Sequence, residues 1–162
     1  MPLARLKPRL SNAIVAPILL SLASSACAAD ETVAAEQAIA RWRNKGPQQY
    51  TYVLQPTGAR NAGPPARIKV EQERLLEAIE ADGGQPEHHR FTMTDLLEQA
   101  LELSGESTFA AAYDAELGYL KSFSYVPEPD DSPSTYGFDV QCLEKSLDEA
   151  ACAGTFQMQL TP

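Results

Sequence analysis

At 162 residues, with 44% hydrophobic side chains and a net charge of −9, the chain is long enough for one domain with its own core and short for two. Arg5, Lys7 and Arg9 are the only charges in the first 28 residues, so the remainder of the chain is more acidic still. No segment after residue 45 supplies a basic stripe, which excludes nucleic acid as a partner, because binding it requires cations that displace counterions.

The basic start, the apolar run AIVAPILLSLA over 13–23 and the small residues after it predict an export signal, since the run is too short to span a bilayer. Residues 1–28 are read as that signal segment and 29–162 as a single domain, exported to the periplasm or cell envelope. The stretch SLASSACAADE, 21–31, leaves two outcomes for Cys27. Ser25 and Ala26 are small, as a lipoprotein signal requires before its acylated cysteine, although Ser24 stands where an aliphatic residue belongs. Ala26-Cys27-Ala28 also forms an A-x-A cleavage site that would discard Cys27 with the signal. Contact with a membrane is expected only through a lipid on Cys27.

Residues 30–45 predict a helix, with acids in the first turn, bases in the last and Ala35, Ile39 and Trp42 on one face. Gly46-Pro47 ends it. QYTYVLQ, 49–55, alternates with period two and predicts a strand carrying Tyr50, Tyr52 and Leu54 on one side, and PTGARNAGPP is a loop. ARIKVEQERLLEAIEADGG opens as a strand with Ile68 and Val70 facing one way. A hairpin pivoting at Gln72-Glu73 would return a second strand through Leu75 to Ile79, with a short helical turn as the alternative. Residues 82–91 read as loop. TMTDLLEQALELSG then predicts a core helix over 93–104, capped by Thr92 with Asp95, apolar at Met93, Leu96, Leu97, Ala100 and Leu101, and stopped at Gly105.

Phe109, Ala111 and Tyr113 alternate, as do Tyr119, Lys121, Phe123 and Tyr125, and Asp114–Gly118 supplies the turn of a hairpin between them. PEPDDSPST is an acidic loop, and YGFDVQCL predicts a strand with Tyr136, Phe138, Val140 and Cys142 on one face. LEKSLDEAACAG turns back, and TFQMQLT predicts a last strand through Phe156, Met158 and Leu160. Cys142 and Cys152 are the pair left to the exported domain and are predicted to form a disulfide. The fold class is α+β: a mainly antiparallel sheet of four to seven strands covered by two helices, after the signal segment.

Trp42 followed by YTYVLQ, then IKVEQERL, FTMTDLLEQALEL, AYDAELGYLKSFSY and YGFDV resembles a bacterial family of secreted proteins and lipoproteins catalogued as domain of unknown function 6174. The resemblance covers most of the exported part, and its most informative piece is YDAELGY between the second helix and a Phe/Tyr strand. It implies an exported α+β domain and brings no activity and no catalytic residues. The family pattern tends to a glycine turn where this chain reads EQER, and to Pro where it has Leu120.

His88-His89 with Glu87 could offer metal ligands, but neighbours in an extended segment point apart. Asp114, Glu116 and Gly118 resemble the start of a calcium loop whose glycine falls one place early and which no glutamate closes. No cofactor and no metal are expected. With no G-x-S-x-G and no free cysteine in the domain, a nucleophilic enzyme finds no support. The remaining enzymatic reading is an envelope hydrolase using carboxylates. Tyr50, Tyr52, Tyr113, Tyr119, Tyr125 and Tyr136 all fall on or beside predicted strands, where rings left on an open sheet face could bind a protein or a small ligand. The sequence therefore favours a non-catalytic binding or accessory module.

Overall fold

The computed structural model describes residues 22–60, 62–81, 83–86, 90–127, 134–148 and 150–157, with side chains from residue 30 to 156 within those ranges. In chain order the elements are α1 (Leu22–Lys45), β1 (Gln49–Pro56), β2 (Ala66–Glu71), β3 (Arg74–Glu80), α2 (Met93–Leu103), β4 (Ala110–Tyr113), β5 (Leu120–Tyr125), β6 (Tyr136–Glu144) and α3 (Ala153–Gln157). The strands form one six-stranded sheet in the order β3-β2-β1-β6-β5-β4, and every neighbouring pair is antiparallel. Each half is a helix followed by a three-stranded meander. The first meander runs from the sheet centre outward and the second from the edge inward, so β1 and β6 meet in the middle.

The helices α1 and α2 lie on one face. Ala38, Ile39 and Trp42 from α1 and Met93, Leu96, Leu97 and Ala100 from α2 join Tyr50, Tyr52, Leu54, Ile68, Val70, Leu120, Phe123 and Phe138 of the sheet in one core. The amphipathic spacing of both helices thus selects the buried face, because only that stripe can leave water. Thr92 caps α2 as its sequence implies: its hydroxyl accepts from the Asp95 N–H at 3.2 Å, and its own N–H donates to the Asp95 carboxylate at 2.7 Å. α1 begins earlier than residue 30, at Leu22, and its backbone runs through Cys27. The Cys27 side chain and residues 1–21 lie outside the described ones, so the expectations of a signal and an anchor fall there. Among the described residues no helix is long and apolar enough to cross a membrane.

The second face is not bare. Thr51, Val53 and Lys69 point away from the helices, yet Thr51 and Val53 are fully buried and Lys69 is 5% exposed. The chain after β6 covers them. The Thr51 hydroxyl donates to the Ser146 carbonyl at 2.6 Å, and the Arg67 guanidinium sits 5.4 Å over the Phe156 ring. The predicted disulfide is present, Cys142 to Cys152, and fastens this segment to β6. The last predicted strand is not: residues 153–157 are the short helix α3, and 158–162 lie outside the described residues. The reversal explains the difference, since the bond to β6 and a left-handed Cys152 (φ 58°) start a helical turn in which the Phe156 N–H donates to the Cys152 carbonyl.

Three bulges set side-chain direction, and the one between β1 and β6 skips Gln141, so Cys142 pairs with Val53 on the second face and does not share the face of Phe138 and Val140 as the sequence predicted. The β4–β5 register slips between Ala112 and Tyr113, skipping Lys121, so Leu120 enters the core where strict alternation would have sent Lys121. On β3 the slip skips Leu76, which is left 51% exposed.

Candidate functional site

All six tyrosines pack in or against the single core under the helices. The rings that the sequence offered to an open sheet face are therefore directed into the covered one, because the helix-facing register of β1, β5 and β6 coincides with their positions. Tyr50 and Tyr52 are fully buried. The Tyr50 hydroxyl accepts from the Met93 N–H at 2.9 Å, and Tyr52 donates to the Phe91 carbonyl at 2.5 Å, so both rings fasten the entry to α2. Burial pushes both phenols well above their ordinary range. Tyr113 is pushed up to about 12 by burial and secondarily by Glu31, and its hydroxyl has no hydrogen-bond partner among the described residues. Tyr119 and Tyr136 are raised by burial too. Tyr136 stacks edge-on with Tyr125, ring centres 5.5 Å apart. These four half-buried rings rim the core.

One depression that the fold leaves open lies where α1 ends. Its cavity is about 430 Å³ and is lined by Trp42, Arg43, Asn44, Gln48, Gln72, Glu73 and Thr94, with Gly46 and Pro47 at its edge. Local chemistry builds it. The Gly46 N–H donates to the Trp42 carbonyl at 2.7 Å and closes the helix, and a Cβ on Gly46 would lie 2.5 Å from that carbonyl. The Gln72 N–H donates to the Gln48 carbonyl at 2.7 Å, which brings the β2–β3 turn against the start of β1. Trp42, 3% exposed, forms the floor with its ring edge-on to Tyr50 at 5.2 Å. The walls thus offer three side-chain amides and a hydroxyl, with one guanidinium and one carboxylate, a set suited to a polar hydrogen-bonding solute or a peptide. Scattered polar residues with no period or motif give no advance signal of a site: Asn44, Gln48 and Thr94 did not stand out in the sequence, and Gln72 did so only as a turn residue.

The acidic motif YDAELGY is a docking turn. Asp114 Oδ1 accepts from the N–H groups of Glu116 at 3.0 Å and Leu117 at 2.8 Å, and the Gly118 N–H donates to the Asp114 carbonyl. Its carboxylate is committed to its own turn. Gly118, at φ +80°, approaches α1 so closely that a Cβ there would lie 2.3 Å from the Ala38 carbonyl. Glu87, His88 and His89, and residues 128–133 of the acidic loop, lie outside the described residues.

A family model described as a family of unknown function (DUF6174) matches residues 34–129. Comparison with curated proteins and with solved structures gives no match.

Proposed function

The match takes in more than half of the chain, which therefore belongs to that family of unknown function, and within it we propose an exported, non-catalytic binding or accessory module of the periplasm or cell envelope. The observation that carries the reading is the composition of the depression beside Trp42. Its walls are amides and a hydroxyl around a buried aromatic floor, which can hold a polar ligand by directed hydrogen bonds, while its single carboxylate, Glu73, has no second carboxylate across the cavity to share acid and base roles. A small-molecule or peptide partner fits this lining, and nucleic acid does not fit the acidity of the chain.

Amide chemical-shift mapping with a panel of short neutral peptides and oligosaccharides tests the site. Saturable shifts confined to residues 42–48, 72–73 and 94, lost in Gln72→Ala, are the expected outcome. Turnover of a panel member, abolished by replacing a carboxylate, would replace this reading with the hydrolase. Export is tested separately by the intact mass from an exporting bacterial host. A chain starting at acylated Cys27 is the anchored form, one starting beyond Cys27 is the free form, and an unprocessed chain refutes export.

A further inference from the structure

Cys142, Glu144 and Cys152 bring three potential ligand atoms within 4.8 Å of one another, where β6 ends and the chain turns into α3. Cys152 holds the carboxylate in place, its backbone N–H donating to Glu144 Oε1 at 3.0 Å. The same oxygen lies 3.7 Å from the Cys142 sulfur. A disulfide sulfur has no hydrogen to give, so in the oxidised chain two acceptors face each other with no proton between them. That spacing is one a metal ion fits. Tetrahedral Zn(II), at about 2.3 Å from sulfur and about 2.0 Å from oxygen, sets the two about 3.5 Å apart. The two sulfurs need only part to about 3.8 Å to join the same ion, and their Cα atoms are 5.9 Å apart.

We propose that reduction converts this disulfide into a zinc site, with Cys142 and Cys152 as thiolate ligands, Glu144 as the carboxylate ligand and a fourth position open to water. A dithiol supplies two electrons and two protons to the Cys142–Cys152 bond, which opens to two thiols as the dithiol closes to its own disulfide. Half-buried Cys142 is the sulfur such a reductant reaches, because Cys152 is 3% exposed. Zn(II) then displaces both thiol protons to solvent. Two thiolates and a carboxylate gather three negative charges, which the divalent ion offsets. The ion replaces one fastening of the segment over Thr51 by another at the same place.

The full-length chain is reduced with a dithiol, separated from it without air, and titrated with Zn(II) against a chromophoric chelator and with Co(II) for thiolate charge-transfer absorption. One equivalent bound by the reduced chain and none by the oxidised chain is expected, with the Co(II) band lost in Cys142→Ser. Binding about tenfold weaker or more is expected in Glu144→Gln, whose oxidised form should match the parent by circular dichroism. A reduced chain that takes up no zinc, whether folded or not, overturns the proposal. So does equal uptake by the oxidised chain, or parent-like affinity in Glu144→Gln. Should Glu144→Gln misfold, the parent titrations and Cys142→Ser still decide.

Discussion

Gly118→Ala should destabilise the domain by about 3 kcal/mol, the sum of a backbone cost and a packing cost that can be separated. At φ +80° an alanine gives up about 1 kcal/mol relative to a right-handed conformation. Its Cβ would also lie 2.3 Å from the Ala38 carbonyl, 2.7 Å from Arg41 Cβ and 3.1 Å from the Trp42 N–H nitrogen. Ala38 and Trp42 are buried, so α1 cannot give way alone, and overpacking of this kind costs about 1–3 kcal/mol. Urea unfolding followed by the emission of Trp42, the one tryptophan, reads the loss as a midpoint lowered by about 1–2 M at unchanged slope. Gly83→Ala is the control. Gly83 has φ +88° but nothing within 4 Å of a Cβ, so it bears the backbone cost only. A Gly118 variant no less stable than the Gly83 variant would refute the close approach of this turn to α1.

Gln72→Asn with Glu73→Gly should raise stability by about 1 kcal/mol, because both residues sit at positive φ (48° and 56°), where Asn-Gly is the favoured pair of a tight hairpin. A lowered urea midpoint would contradict it. Replacing Cys142 and Cys152 by serine should cost about 2–3 kcal/mol in thermal melts run with a chelator, as expected for a short loop closed in the unfolded chain. A melt within error of the parent would show that the segment over Thr51 holds without the bond. Stability should also fall in alkali. Tyr50, Tyr52 and Tyr113 keep their protons in the folded chain above the pH at which the unfolded chain releases them. Their contribution is complete below about pH 10 and declines as pH rises from there toward the raised folded values, by about 1.4 kcal/mol per pH unit for each phenol. Urea midpoints and phenolate absorbance between about pH 9 and 12 check it, and a flat midpoint would refute the burial of these hydroxyls.

Much of the architecture was legible because it is written in periodicity and turn chemistry. The α2 stripe, its Thr92–Asp95 cap and the pivot at Gln72-Glu73 each belong to one local pattern that the fold keeps. The features that failed to show were decided over longer range. Lys121 has the parity of Phe123 and Tyr125, and only a bulge in the β4 pairing turns it out and Leu120 in. Phe156 alternates like a strand residue, but the bond between Cys142 and Cys152 places it in a helical turn over Arg67. The tyrosines misled for a related reason. A ring on a strand says that one face is apolar, and in this sheet that face is where α1 and α2 lie.

The stretch YDAELGY, residues 113–119, lies within the part of the chain that the family model matches, and its residues serve architecture rather than a ligand. In YDAELGY, Tyr113 pairs with Leu120 and packs on the core, and Asp114 binds the turn through its own carboxylate. Leu117 and Tyr119 pack inward, while Gly118 admits α1. Every one of these uses is structural and serves the contact between the first helix and the fourth and fifth strands. Chains that share the motif are thereby held to the same architecture without being held to the same ligand. In the proposed reading, recognition falls to residues outside this stretch, the amides and hydroxyl beside Trp42, where a side chain can change without disturbing the core. A ligand-binding difference between two members should accordingly track residues 44, 48, 72 and 94. Exchanging those four positions between two chains should carry the ligand preference with it, and the urea midpoint should move only through residue 72, which sits at positive φ.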